Sequence, residues 1–184
     1  MQTQRKGNAL KAEIVVRLEE TVAAPVEVVY DMLADVGSHL EWGGAMQKKS
    51  YRLLSIQAPG RPASVGTEFS STGADAMGTF NDTSVVTEAT RPSLFEFVTE
   101  ARLSTKKGRV VEWTLVHRYE IGSDGKGCTV SYTTRTVRIS ELPGPLRLFN
   151  VPGLRAVLTR VARSNVRRGF RNLVMVADER AIAR

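Results

Sequence analysis

From Ile14 to Val22 apolar and polar side chains alternate after an apolar start, and that period of two predicts a strand. Ala23-Ala24-Pro25 stops it. A proline suits the first turn of a helix, where its missing N–H would be unpaired anyway. Val26, Val29, Tyr30 and Leu33 follow at helical spacing, so about 25–35 reads as a short amphipathic helix. Gly37 breaks it, and a second short helix is expected from Ser38 to about Trp42, ended by Gly43-Gly44. The pattern then turns to strands: Gln47–Ile56, Val65–Ser71, Gly78–Thr90, Leu94–Arg102, Arg109–Ile121 and Thr129–Ile139. Loops are read at Pro59–Pro62 and Gly73–Gly78, and a hairpin turn at Ser123-Asp124-Gly125-Lys126-Gly127. Leu142-Pro143-Gly144-Pro145 ends the strands, and Leu146–Asn150 reads as a turn of helix. Pro152 then opens a long helix over about 153–181. Its apolar side carries Leu154, Leu158, Val161, Ala162, Val166, Phe170, Leu173, Val174 and Ala177, with the arginines mostly on the other side.

The order is strand, two short helices, six strands, long helix. Consecutive strands joined by short turns imply an antiparallel meander. Such a sheet has one face to cover, and a single long amphipathic helix can cover it. The expected class is α+β. A helix laid across a curved sheet seldom fills the concavity, which leaves room for a pocket. Residues 1–12 read as a flexible tail, and 13–184 as one domain, a size that supports a single sizeable core.

Composition alters this picture little. Hydrophobic residues make up 42% and charged residues 24%, ordinary for a globular chain. No apolar run is long enough to span a bilayer. The polar, basic start lacks the apolar stretch of a secretory signal, and the single cysteine, Cys128, cannot form an intrachain disulfide. A reducing, cytoplasmic location is expected, which also removes weight from the glycosylation pattern Asn81-Asp82-Thr83. Cys128 starts a strand and reads as a small structural residue. Charge adds one question. The net charge is +7, and eight arginines lie between Arg155 and Arg184 against only Asp178 and Glu179. A solvated helix face is the plain explanation; contact with RNA, an anionic membrane or an acidic partner through Arg160, Arg163, Arg167 and Arg171 is the sharper one.

A set of segments then fits a known pattern. They are Val-Ala-Ala-Pro-Val-Glu-Val-Val-Tyr-Asp-Met-Leu-Ala-Asp-Val (22–36) followed by Trp42, Val-Gly-Thr-Glu-Phe (65–69), and Val-Thr-Glu-Ala-Thr-Arg-Pro (86–92) with Leu-Phe-Glu-Phe (94–97). Trp113, Tyr119, Gly-Cys-Thr-Val-Ser-Tyr (127–132) and the terminal helix complete it. In order and spacing the chain resembles the START / Bet v 1-like (SRPBCC) superfamily, and within it the polyketide cyclase/dehydrase and lipid-transport group, from about residue 13 to about 180. The resemblance implies a helix-grip fold: a seven-stranded curved antiparallel sheet wrapped on a long C-terminal helix around an apolar cavity. Members of that superfamily include lipid carriers, aromatases/cyclases and hormone receptors, so the fold does not fix the function.

Strand alternation proposes the cavity wall. Over Val111–Ile121 one face shows Val111, Trp113, Leu115, His117, Tyr119 and Ile121, and the other Glu112, Thr114, Arg118 and Glu120. Tyr132 shares a face with Val130, Thr134 and Thr136, whereas Arg135 falls on the opposite one. Phe95 and Phe97 share a face, and Phe69 and Phe80 are read as inward. The candidate ligand-cavity residues are therefore Trp42, Phe69, Phe80, Phe95, Phe97, Trp113, Leu115, His117, Tyr119 and Tyr132, with Leu158, Val161 and Asn165 from the helix. Aromatics on one strand face are core residues more often than ligand contacts; here core and wall are the same face. His117 is the one candidate for proton transfer, because an imidazole titrates near neutrality. A Ser–His–Asp triad with His39 or His117 lacks any marked nucleophile. Two histidines and one cysteine give no metal-ligand spacing, and no phosphate loop or dinucleotide fingerprint is present, so neither metal nor cofactor is expected.

These residues favour holding over reacting. The leading expectation is binding or transport of a hydrophobic small molecule: a lipid, isoprenoid or polyketide. The alternative is an enzyme of the polyketide cyclase/dehydratase type, with His117, Tyr119, Tyr132 and Arg135 as its polar groups. The third is association with RNA or membrane through the basic helix. The chain itself is expected as monomer or homodimer.

Overall fold

A computed structural model of the protein describes residues 13–45, 52–139 and 150–183. The expected tail over 1–12, the helical turn from Leu146 up to Asn150, and the side chains of Leu158 and Val161 lie outside the described residues.

Seven strands form one antiparallel sheet: β1 (Ile14–Val22), β2 (Arg52–Gln57), β3 (Glu68–Ala74), β4 (Gly78–Thr90), β5 (Leu94–Thr105), β6 (Val110–Ser123) and β7 (Cys128–Ile139). Their spatial order is β1-β7-β6-β5-β4-β3-β2. From β2 to β7 each strand pairs with the next in sequence, as the short turns predict; β1 then adds to β7, with Ile14 opposite Thr136 and Val22 opposite Cys128. Helix α1 (Val26–Ala34) follows β1 directly, and α2 (Pro152–Ile182) closes the chain. This is the α+β helix-grip architecture expected above. No helix among the described residues is long and apolar enough to cross a membrane.

Local chemistry explains the edges of these elements. The β6–β7 hairpin is tied by Asp124, whose Oδ1 accepts from the backbone N–H of Lys126 (3.0 Å) and Gly127 (2.7 Å). Gly125 takes φ +87°, a left-handed conformation that favours glycine, and a Cβ on Gly127 would collide with the Val22 carbonyl. Two bulges re-aim side chains. Thr87 is the extra residue between Val86 and Glu88 on β4, and Val137 is the extra residue on β7 where Leu115 faces Thr136 and Thr114 faces Arg138. The second bulge puts Thr136 and Ile139 on the same wall.

Four expectations need correction. The strand read from Val65 starts at Glu68: Gly66 turns with φ +83°, Ser64 N–H donates to Thr67 Oγ1, and Val65 is 63% exposed. At its other end this strand runs on into Ala74, and the loop shrinks to a turn in which Asp75 Oδ1 accepts from Met77 and Gly78 N–H. The second short helix is a 3-10 turn at Val36–Ser38 followed by one π turn over Glu41–Ala45. On α2, Leu154 is exposed, while Val176, absent from the expected apolar side, is buried.

The core is uneven along the molecule, and this creates the site. Phe170, Leu173, Val176 and Ala177 of α2 pack with α1 and the inward faces of β1, β5, β6 and β7 in the main cluster. A smaller cluster of Phe80, Leu103, Val111 and Ile139, with Trp113 against it, sits apart. Among the described side chains in the first turns of α2, exposed Leu154 and Val157 join neither cluster. The C-terminal half of α2 is held firmly. Asp178 Oδ1 accepts from Ala23 and Ala24 N–H (2.8 and 3.3 Å), Asn172 Nδ2 donates to the Trp42 carbonyl (3.0 Å), and Arg180 pairs with Glu41 (2.6 Å).

Candidate functional site

Between the two clusters lies a cavity of about 460 Å³, within the range of single small-molecule sites. The sheet supplies its floor, the π turn one side, and Ala162, Asn165, Val166, Gly169 and Phe170 of α2 its cover.

Of the residues singled out by alternation, Trp42, Phe69, Phe80, Phe97, Trp113, Leu115, His117, Tyr119, Tyr132 and Asn165 line this cavity. Phe95 does not. It is fully buried beneath α1, edge-on to Tyr30 with ring centroids 6.1 Å apart, and belongs to the core. Its face is the same as that of Phe97, but its place along the strand is two residues nearer α1, and the helix fills the space above it. Arg135 lies on the outer face, 3.8 Å from Glu13, as its alternation requires. Cys128 is buried, and that burial pushes its thiol up to about 11, so it is no nucleophile at neutral pH.

His39 is the residue that sequence reasoning left aside. It lines the cavity and donates its Nε2–H to the Leu33 carbonyl (2.9 Å), while its ring lies 4.7 Å from that of Trp42. The signal was available: His39 and Trp42 are three apart in a helical stretch and so share a side.

The polar groups form an ordered chain. The ring of His117 stacks on Phe97 (4.7 Å, 16°), its cross-strand partner. His117 Nδ1 lies 2.7 Å from the Tyr132 hydroxyl, and Tyr132 stacks on Tyr119 (4.4 Å, 10°). Interactions with Tyr119 and Thr134 lower the Tyr132 phenol against the larger effect of its burial. Burial pushes the Tyr132 phenol up to about 12 and Tyr119 well above its ordinary value, so both stay protonated. Ser84 and Thr99 satisfy each other across β4 and β5 at 2.8 Å.

Both histidines are neutral at physiological pH. Burial pulls each from 6.5 to about 4; proximity to His39 lowers His117 further, whereas the Leu33 hydrogen bond and Asp35 only partly restore His39. The unfolded chain protonates these rings below about pH 6.5 and the folded chain only near 4. In that window the unfolded state binds more protons, so stability falls as pH drops and levels off below about 4. The expected loss from His39, which is 5% exposed, is on the order of 3 kcal/mol. His117 contributes less because its ring is half-buried at the cavity. Urea unfolding at pH 7.5 and 4.5 measures this, and His39→Gln, which keeps a donor for Leu33, should show a visibly shallower loss. Equal losses in both proteins would remove His39 as the cause.

The basic stripe of α2 is partly engaged within the molecule. Arg167 and Arg171 lie 3.5 and 3.9 Å from Glu20, and Arg155 donates to the Glu13 carbonyl. Exposed pairs of this kind contribute little stability.

Residues 13–178 match the family model described as polyketide cyclase / dehydrase and lipid transport. No curated protein matches the chain by sequence. Among solved structures, an uncharacterized protein from Rhizobium leguminosarum is 13% identical with a TM-score of 0.64, covering 93% of this chain and 97% of that one. The di-domain ARO/CYC StfQ from the steffimycin biosynthetic pathway is 14% identical with a TM-score of 0.64, covering 92% of this chain and 52% of that one. Ara h 8.0201 is 10% identical with a TM-score of 0.55, covering 90% of this chain and 98% of that one. At such identities the likeness is one of fold.

Proposed function

We propose that this chain, which belongs to the polyketide cyclase / dehydrase and lipid transport family, binds a hydrophobic small molecule of the lipid, isoprenoid or polyketide class in the cavity between its sheet and α2. The observation that carries this reading is the cavity itself: about 460 Å³ walled mainly by aromatic and aliphatic side chains. Such a wall gives affinity by removing apolar surface from water, at roughly 25 cal/mol per Å². A few polar groups then orient the ligand. A ligand that buries its apolar body there gains several kcal/mol before ordering costs are subtracted.

Displacement of Nile red, a neutral fluorophore sensitive to apolar surroundings, tests the reading. The dye should bind one to one, and members of a lipid and polyketide panel should compete with it. Absence of both dye binding and competition would overturn the proposal.

One observation favours a second reading, an enzyme of the cyclase/dehydratase type. The Tyr119–Tyr132–His117 chain ends at an imidazole that borders the cavity, an arrangement that can orient a proton donor against a bound carbonyl. Its weakness as a base counts the other way: an imidazole drawn to about 4 holds a proton poorly at neutral pH. Holding is therefore preferred to reacting.

A further inference from the structure

One hydrogen-bond donor at the cavity has no acceptor among the described residues. The Trp42 indole Nε1–H is buried without a partner, on a ring that lines the cavity and whose backbone carbonyl is fixed by Asn172. Leaving such a group unpaired costs about 1–3 kcal/mol, so a buried donor that the protein leaves open points to an acceptor from outside.

The charges around the cavity set what kind of acceptor fits. Among the described residues the lining carries two carboxylates, Asp75 and Asp82, and no lysine or arginine. The lining is mostly apolar, so a bound anion would lose its hydration there, which disfavours it strongly. An uncharged oxygen meets no such penalty.

We infer that the cavity takes an apolar molecule bearing an uncharged carbonyl oxygen, a ketone or ester rather than a carboxylate, with the Trp42 indole N–H as the donor that receives it. The inference rests on the cavity being a ligand site, and it adds the polarity of the ligand and the group that reads it.

Three probes with one chain length test it by competition with Nile red at pH 8: dodecane, 2-dodecanone and dodecanoate. In the unchanged protein 2-dodecanone should compete at least tenfold better than dodecanoate. Trp42→Phe keeps the ring and removes the donor. It should weaken 2-dodecanone about 5–10-fold, the equivalent of one buried hydrogen bond, and shift dodecane less than twofold. Dodecanoate binding as well as the ketone, or a Trp42→Phe loss equal for ketone and hydrocarbon, would overturn the inference while leaving the cavity reading intact. If Nile red and all three probes fail to bind, the cavity reading itself falls and this inference with it. Should Trp42→Phe not fold, the ketone-to-carboxylate ratio of the unchanged protein still decides.

Discussion

Phe95→Ala is expected to destabilise the fold by about 3–5 kcal/mol, the largest stability loss of any single substitution considered. The ring is fully buried and stands where three elements meet. It is edge-on to Tyr30 of α1, tilted against Phe97, and paired in register with Tyr119 of β6. Its removal would leave a void that neither the sheet nor a helix wedged against it can close, and an unclosed void adds to the lost transfer energy. Phe97→Ala makes an informative comparison. That ring already borders the cavity, so its loss enlarges an existing space and should cost clearly less. Urea unfolding of both variants measures the difference. A Phe95→Ala loss near 1 kcal/mol, or equal losses at the two positions, would show that the boundary drawn here between core and cavity wall is misplaced.

Gly169→Leu is expected to weaken Nile red binding at least 100-fold, about 2.7 kcal/mol, while leaving the fold as stable or more so. Gly169 lies on the face of α2 that covers the cavity, between Val166 and Phe170. A leucine there enters space that a ligand would need, and exclusion by volume is steep in a site of about 460 Å³. The same change removes a mid-helix glycine, which favours the helix by roughly 1 kcal/mol. A binding loss without a stability loss cannot be explained by unfolding. Arg168→Leu, one position along on an exposed side chain, is the control and should leave binding unchanged. Unaltered binding in Gly169→Leu would place the dye somewhere other than the cavity.

Much of this arrangement is legible along the chain because strand alternation and turn chemistry act locally. β4 occupies the expected residues because Gly78 fits close against Ser104 and the alternation from Phe80 to Val86 is unbroken. Most of the cavity wall follows from the same rule, since His117, Tyr119 and Tyr132 can share a face only if they point inward. What alternation does not carry is position across the third dimension. Phe95 and Phe97 are equivalent by period, and only the seat of α1 separates one as core from the other as wall. β3 was displaced because Val65-Gly66-Thr67 has the composition of a strand, while the left-handed φ at Gly66 and the Ser64–Thr67 hydrogen bond make it a turn. The open indole N–H of Trp42 is likewise invisible in sequence; it exists only because the π turn buries the ring where no acceptor reaches it.

Native mass spectrometry of gently purified protein, unchanged and as Gly169→Leu, tests the central claim most directly. The account predicts that the unchanged protein accepts one equivalent of an apolar, carbonyl-bearing molecule, whether retained from its host or added as 2-dodecanone, as a releasable adduct. The Gly169→Leu protein should appear bare under the same conditions. A bare spectrum from the unchanged protein even with added ligand, or an adduct of equal abundance on both proteins, would contradict it.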